Sequence, residues 1–141
     1  MNYDKLKLEN QLCFPLYACS KEIIKKYKPF LDPLELTYTQ YITLMALWEE
    51  DNITVKALGE KLYLDSGTLT PLLKKMESQQ LIRRTRSFND ERNVYIKLTE
   101  KGIKLKDRAV AVPEQISECI SLSQEEAVFL HKILHQLLKQ I

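Results

Sequence analysis

Apolar residues recur at helical spacing along most of the chain, most clearly over residues 64–76. The apolar stripe of this segment consists of Leu69, Leu72, Leu73 and Met76. Such a stripe predicts a helix with one buried face. Ser66, Thr68 and Thr70 fall away from the stripe, so small hydrogen-bonding groups are exposed at the start of the helix. Groups of this kind suit base edges and phosphates.

A shorter helix is predicted just before this one, over residues 54–62, with Thr54 as its N-cap. Two short helices joined by a tight turn form a helix-turn-helix whose second helix reads DNA. Residues 81–86 and 93–98 then predict two strands, with residues 87–92 as a charged tip. The pattern therefore predicts a mainly α fold with a small β wing, a winged helix-turn-helix. On periodicity alone, a helix pair and a hairpin in an unrelated α+β domain stays open.

The N-terminal part of the chain predicts two more helices. The first covers residues 10–27, with Asn10 as a candidate N-cap and Pro15 near its start. The second follows a capping box formed by Thr37 and Gln40 and ends near residue 50. Prolines between the two helices indicate a linker over residues 28–36.

The C-terminal part predicts a helix from residue 99 to 112, where Pro113 interrupts it, and a last helix after a capping box at residues 123–126. The apolar positions of the last helix are Ala127, Leu130, Ile133, Leu134, Leu137, Leu138 and Ile141. This set is wider than one stripe, so we expect the last helix to pack with the N-terminal helix of a second subunit. The alternative is that both helices close the core of a monomer.

These elements divide the chain into three segments of one domain. Residues 1–36 form an N-terminal dimerisation helix and linker, residues 37–98 the DNA-binding region, and residues 99–141 the C-terminal dimerisation helices. The total length of 141 residues is enough for one domain with a real core.

The net charge of +2 does not by itself indicate nucleic acid. Basic residues nevertheless crowd the predicted reading helix and wing: Lys74, Lys75, Arg83, Arg84, Arg86 and Arg92. Several glutamates gather toward the C-terminus instead. A nearly neutral total can therefore hide a basic face.

The sequence predicts a cytoplasmic protein without a membrane partner, because no apolar run approaches the roughly 20 residues that cross a bilayer and residues 1–10 do not resemble a secretory signal. Three cysteines lack the spacing of metal ligands. His131 and His135 are four apart on a predicted helix with no third ligand nearby. We therefore predict no metal, no cofactor and no catalytic site.

Cys13 lies close to the predicted start of the first helix. Thiolates are stabilised at that end of a helix by the backbone dipole and by free N–H groups. At this point Cys13 could be a reactive thiol or a packing residue, because a cysteine is often a small apolar side chain in a protein core. Cys19, six positions on, is expected to pack.

Five segments together resemble the MarR family of winged-helix regulators, and more narrowly the OhrR group of organic-hydroperoxide repressors with the SarZ/MgrA-like regulators. They are Leu12-Cys13-Phe14, residues 17–22, residues 36–41, residues 65–73 and Asp90-Glu91-Arg92. The similarity covers nearly the whole chain and weakens after residue 111. The run from Asp65 to Pro71 combined with an N-terminal Leu-Cys pair is its most specific part.

The resemblance implies a homodimer on a palindromic double-stranded operator. The helix from Ser66 would enter the major groove, Arg92 would reach into the minor groove, and Asp90 would hold the wing. Lys74, Arg84 and Arg86 would contact phosphates. The full set of DNA-binding residues is Asp65, Ser66, Thr68, Thr70, Lys74, Lys75, Arg84, Arg86, Asp90 and Arg92.

The resemblance also implies that Cys13 senses an organic hydroperoxide by oxidation, after which the protein releases its operator. Tyr27 and Tyr38 match the tyrosines that hydrogen-bond the reactive thiolate in the family, with Tyr17 nearby. Tyr27 is fourteen residues from Cys13, about 21 Å along a continuous helix, so it is expected to come from the partner subunit. Oxidised Cys13 would be resolved by Cys119 or by a low-molecular-weight thiol, and both stay open.

Three other functions stay open. A MarR-type regulator of the same fold could respond to a small apolar or phenolic ligand with Cys13 inert. The resemblance also allows a SarZ/MgrA-like global regulator. A thiol peroxidase would use Cys13 in turnover, although no arginine or threonine is placed near it as peroxidatic sites need, and the reading helix would be unexplained. The operator, the regulated genes and the choice between repression and activation are not encoded in any feature we identify.

Overall fold

A computed structural model describes residues 1–89 and 93–141, and within them eight α-helices surround one small antiparallel sheet. The helices are α1 (Cys13–Lys26), α2 (Lys28–Leu31), α3 (Tyr38–Glu49), α4 (Val55–Leu62), α5 (Ser66–Ser78), α6 (Glu100–Ala109), α7 (Val112–Ser117) and α8 (Gln124–Leu138). The strands are β1 (Ile53–Thr54), β2 (Ile82–Arg86) and β3 (Val94–Leu98). This arrangement confirms the predicted winged helix-turn-helix.

Short polar side chains fix where the helices begin. The predicted capping box of α3 is present: Thr37 Oγ1 accepts a hydrogen bond from Gln40 N at 3.3 Å, and Gln40 Oε1 accepts one from Thr37 N at 3.0 Å. Ser123 and Glu126 form the second predicted capping box at the start of α8. Thr54 caps α4 by accepting from Ala57 N at 3.1 Å.

The linker predicted over residues 28–36 is largely helical instead, whereas the break predicted at Pro113 is confirmed, since α6 ends at Ala109 and α7 begins at Val112. Residues 28–36 form α2 and a 3-10 turn, with Pro29 and Pro33 each in a first turn, and Pro113 likewise begins α7. Proline suits these positions because a first-turn N–H has no partner within the helix. Asn10 does not cap α1, which starts at Cys13 with Leu12 in the N-cap position.

The core lies between the helix-turn-helix, the sheet and the segments on either side of them. Its largest buried side chains include Leu31, Leu44, Leu47, Leu58, Leu69, Leu73, Met76, Ile82, Ile96 and Val112. In the sheet, β3 is central: Ile96 pairs with Ile53 of β1 and with Arg84 of β2. Strand β1 is too short to have been predicted. The core takes residues from each predicted segment, and the division into three segments stays a prediction.

Hydrogen bonds lock the reading helix and the wing to their neighbours. Buried Gln40 of α3 donates from Nε2 to Gln79 Oε1, just beyond α5, at 3.0 Å. Trp48 Nε1 donates to the carbonyl of Gly102 at 3.0 Å, and Asp51 Oδ1 accepts from Leu98 N at 2.9 Å. Helices α3, α5 and α6 and strand β3 are therefore held as one unit.

Helices α1 and α8 lie outside this unit and contain no buried residue. Apolar side chains on both are exposed, among them Leu16, Tyr17, Val128, Phe129, Leu130 and Leu137. Two uncovered apolar helices fit the predicted pairing with a second subunit, and that interface stays a prediction. In the described part of the chain, none of the helices has the length and apolar character needed to cross a bilayer.

Candidate redox site and nucleic-acid interface

The Cys13 thiol is exposed on the first residue of α1. The apolar residues around it in sequence, Leu12, Phe14 and Leu16, are exposed as well. The thiol therefore lies at the start of a helix, on a surface that an apolar molecule can approach. Cys19 is also exposed, which corrects the expectation that it packs.

Tyr27 and Tyr38 lie together in a cluster with a third tyrosine that sequence reasoning missed, Tyr41. The ring centroids of Tyr27 and Tyr38 are 4.9 Å apart, and that of Tyr41 is 5.9 Å from Tyr27 and 6.4 Å from Tyr38. Burial raises the pKa of all three phenols, and the neighbouring rings add to this at Tyr27 and Tyr41. The cluster therefore stays protonated and able to donate. The spacing of Tyr38 and Tyr41, three apart on one helix face, is the signal that could have found the third ring.

The cluster lies away from Cys13 of the same chain. Helix α1 is unbroken from Cys13 to Lys26, and Tyr27 follows directly, so the two ends are about 21 Å apart. Tyr17 is one turn from Cys13, but it is exposed and its ring lies 5.3 Å from Lys21 Nζ. Within one chain, the structure brings together Tyr27 and Tyr38 and leaves Cys13 apart from both.

Cys119 is exposed two residues beyond α7. Its Sγ makes a weak hydrogen bond to the carbonyl of Gln115 at 3.6 Å. Helix α7 packs against α2, and α2 begins directly after Tyr27. Cys119 therefore follows a helix that packs against the element directly after Tyr27.

The start of the reading helix α5 is fixed by Asp65, whose Oδ1 accepts from Thr68 N at 2.8 Å. This bond and the Thr68 hydroxyl lower the pKa of the Asp65 carboxyl. Ser66 and Thr68 are exposed and Thr70 is half-buried. Asp65, Ser66 and Thr70 border an open groove of about 930 Å³ between α4, α5 and the wing strands, whereas Thr68 does not line it. Three predicted residues from the start of α5 thus line one concave surface, with Asp65 serving first as the helix cap.

The predicted cations fall into three groups. Lys74 and Lys75 are exposed on α5, and Arg86 is exposed at the end of β2. Arg84 instead faces Glu77 of α5: its Nε and Nη2 donate to Glu77 Oε1 at 3.1 and 3.0 Å. Asp90 and Arg92 lie outside the described residues.

Glu77 is a second residue that sequence reasoning missed. Its Oε2 accepts from the backbone N of Arg84 at 3.1 Å, and the hydrogen bonds from Arg84 lower the pKa of the Glu77 carboxyl. Seven positions separate the two residues on different elements, so no periodicity links them.

The rings of His131 and His135 are stacked with their centroids 4.0 Å apart. Residues 1–89 and 93–141 hold no group of three potential metal ligands.

The known proteins that this chain resembles are transcriptional regulators. The sequence profile described as transcriptional regulator SarA/Rot matches residues 25–109. The organic hydroperoxide resistance transcriptional regulator of Bacillus subtilis is 54% identical over 139 residues, which is 99% of this chain and 95% of that protein. The HTH-type transcriptional regulator SarZ of Staphylococcus haemolyticus is 50% identical over 119 residues, 84% of this chain and 81% of that protein.

A solved relative gives the structural comparison. The structure of reduced AbfR bound to DNA shares 36% identity and a TM-score of 0.77, over 97% of this chain and 96% of that one. AbfR comes from Staphylococcus epidermidis. A disulfide-formed AbfR shares 36% identity with a TM-score of 0.68, over 97% of this chain and 93% of that one.

Proposed function

The chain belongs to the SarA/Rot family of MarR-type winged-helix transcriptional regulators, and from this premise we propose that it represses transcription until an organic hydroperoxide oxidises Cys13. The observation that carries the proposal is the exposed Cys13 thiol at the start of α1, amid exposed apolar side chains. Its role is regulatory rather than catalytic, and it acts in the cytoplasm, where its DNA is.

The oxidation is a two-electron step at sulfur. The Cys13 thiolate attacks the terminal oxygen of the hydroperoxide, the O–O bond breaks, and the alcohol leaves after taking a proton. The sulfur becomes a sulfenic acid. A second thiol then condenses with it, forming a disulfide and releasing water.

The tyrosine cluster supports a sensor shared between subunits. Because Tyr27 lies about 21 Å along α1 from Cys13 of its own chain and its ring contacts that of Tyr38, both phenols would be available to Cys13 of the partner subunit in a homodimer. Their raised pKa keeps them protonated, so they would donate hydrogen bonds to the thiolate. Oxidation of one sulfur would then disturb contacts of both subunits.

Cys119 is a candidate for the second thiol, because it is exposed and follows α7, which packs against the helix directly after Tyr27. The relative AbfR is known in a disulfide-formed structure. A low-molecular-weight thiol is the alternative partner.

The DNA-binding half follows from the groove and helix α5. In a two-fold dimer, α5 of each subunit would enter the major groove of one half of a palindromic operator, with Ser66, Thr68 and Thr70 at base edges. Lys74, Lys75 and Arg86 would contact phosphates. Asp90 and Arg92 keep their predicted wing roles.

The test is fluorescence anisotropy with a palindromic AT-rich duplex before and after stoichiometric cumene hydroperoxide. Reduced protein is expected to bind, and oxidation to weaken binding roughly 10-fold or more. Cys13→Ser should bind but not respond, whereas the matched control Cys19→Ser should respond like the wild type. Mass spectrometry of Cys119→Ser then identifies the thiol joined to Cys13.

Two results would contradict the proposal. Release of Cys13→Ser by hydroperoxide would show that another group senses the oxidant. Binding that is indifferent to oxidant, or multiple-turnover consumption of the hydroperoxide, would favour the ligand-gated regulator or the peroxidase.

A further inference from the structure

Glu77 and Arg84 form a polar link between the reading helix and the wing. The Glu77 carboxylate accepts three hydrogen bonds from one residue: two from the guanidinium, at 3.1 and 3.0 Å, and one from the backbone N–H, at 3.1 Å. Both side chains are partly shielded, with 38% of the Glu77 and 30% of the Arg84 side chain exposed. Charge-assisted bonds of this kind are stronger and more directional than neutral ones.

The hydrogen bond to the backbone N–H of Arg84 ties the position of strand β2 to helix α5. Strand β2 is an edge strand, because β3 lies between it and β1. The outward N–H groups of an edge strand have no partner within the sheet, and Glu77 takes one of them. The carboxylate thereby fixes the height and rotation of β2 on α5, while Arg84 pairs across the strands with Ile96.

We propose that Glu77 and Arg84 are positioning residues for DNA binding, which set the angle between the reading helix and the wing rather than contacting DNA themselves. This inference rests on the proposed function. Both α5 and the wing strands border the open groove, and Arg84 lines it. A duplex can engage helix and wing together only if their relative orientation is fixed beforehand, and that orientation is what the three bonds hold.

For neutralisation of Glu77, electrostatics alone and a positioning role predict opposite changes in DNA affinity. Glu77 carries a negative charge on an element that approaches polyanionic DNA, so neutralising it should tighten binding if charge alone mattered. A positioning role predicts weaker binding. The sign of the change in affinity therefore separates the two.

The experiment measures affinity of the full-length reduced protein for the palindromic AT-rich duplex over a salt series. Glu77→Gln is expected to weaken binding roughly 5-fold or more, since the new amide N–H₂ cannot accept from Arg84. Glu77→Asp keeps the charge but is too short for all three bonds, and it should also weaken binding. Far-UV circular dichroism and the dimer mass confirm that each variant is folded.

A double-mutant cycle identifies the role of Arg84. Arg84→Gln should weaken binding about as much as Glu77→Gln, and the double variant should be no worse than either alone. The salt slope should stay that of the wild type, whereas loss of a direct phosphate contact would lower it by about 1. The matched control is Glu49→Gln, an exposed acid at the end of α3 that does not line the groove, which should bind as well as the wild type or better.

The outcomes distinguish failure of the positioning role from failure of the proposed repressor function. If the wild type binds and Glu77→Gln binds equally or more tightly, the positioning role is overturned and the proposed function stands. A reduced salt slope for Arg84→Gln with additive single variants overturns it too, in favour of a phosphate contact. A reduced wild type that binds no duplex overturns both.

Discussion

Asp65 caps helix α5 and is also one of the residues that we predict to lie at the DNA surface. Its carboxylate caps α5 through Thr68 N at 2.8 Å, so it fixes the residues that follow it at the helix start. A carboxylate facing DNA is electrostatically unfavourable. Its capping role therefore explains why an acid stands at the tip of a reading helix.

The lowered pKa of Asp65 predicts a specific acid sensitivity. Because the folded-state pKa lies below the unfolded value of about 3.9, the ionised carboxylate stabilises the fold at higher pH, and that stability is lost as pH falls through the folded pKa. Asp65→Asn should cap the helix but lack the charge. Denaturant midpoints of the two proteins should differ by a constant amount from neutral pH to about pH 4 and converge below it. A gap that persists in acid would contradict this assignment.

Among single residues, those tied to a motif were predictable and those tied to packing were not. Cys13, Tyr27 and Tyr38 follow from the family motif in the sequence. Tyr41 and Glu77 do not, because their partners lie on other elements and are chosen by tertiary packing. The phosphate contact of Arg84 stays a prediction: its charge is visible in the sequence, whereas the Glu77 carboxylate that it pairs with in this structure is not.

At the scale of elements, the turn between α4 and α5 depends on close approach at Gly59. A Cβ at this position would lie 2.9 Å from the backbone oxygen of Leu64 and 3.4 Å from Leu69 Cδ2. The first contact cannot be relieved by a side-chain rotation. Gly67, in the first turn of α5, is less crowded: a Cβ there would have Asp65 Oδ1 as its nearest neighbour, at an ordinary contact distance of 3.4 Å.

The two glycines therefore predict opposite effects of the same substitution. Helix propensity favours alanine by about 0.5–1 kcal/mol, but displacement of the Leu64 backbone costs about 1–3 kcal/mol. Gly59→Ala should lose about 1–2 kcal/mol of unfolding free energy, and Gly67→Ala should gain up to about 1 kcal/mol. Urea midpoints at unchanged m-value measure both. Stabilisation by Gly59→Ala would show that the turn adjusts freely.

Helix starts could be predicted because capping is local. The capping boxes at Thr37 and Ser123 are confirmed since each needs only residues three apart. The segment 28–36 was not predictable, because Leu31 and Leu34 are buried by elements far along the chain. A proline in such a segment indicates a helix start or a break, and the sequence alone does not say which.

At the scale of the whole molecule, the tyrosine cluster and the reading helix belong to one rigid unit. Tyr38 and Tyr41 lie on α3, and buried Gln40 between them in sequence bonds to Gln79 at the end of α5 at 3.0 Å. A shift of α3 therefore moves the end of α5 unless this bond breaks. The sensing and reading surfaces are thus mechanically connected within each subunit, whereas the thiol belongs to a helix outside the unit.

With the thiol and the tyrosine cluster of one chain apart, the sensor we propose requires a second subunit, and helix α8 offers a test of that dimer. Leu130 is 44% exposed on a helix without a buried residue, and we expect it to be covered in the dimer. Leu130→Glu would place a charge against apolar surface, at a cost of about 3 kcal/mol, so the dimer dissociation constant should rise roughly 100-fold.

Sedimentation equilibrium measures this constant, and Gln136→Glu, an exposed residue on another face of α8, adds the same charge as the matched control. A monomeric Leu130→Glu should lose operator affinity, because a palindrome gains from two linked reading heads. It should also oxidise more slowly at Cys13, because the partner's tyrosines are absent. An unchanged dimer dissociation constant for Leu130→Glu would instead show that α8 is not part of the dimer interface. The proposed supply of tyrosine hydrogen-bond donors to Cys13 across that interface would then lose its support.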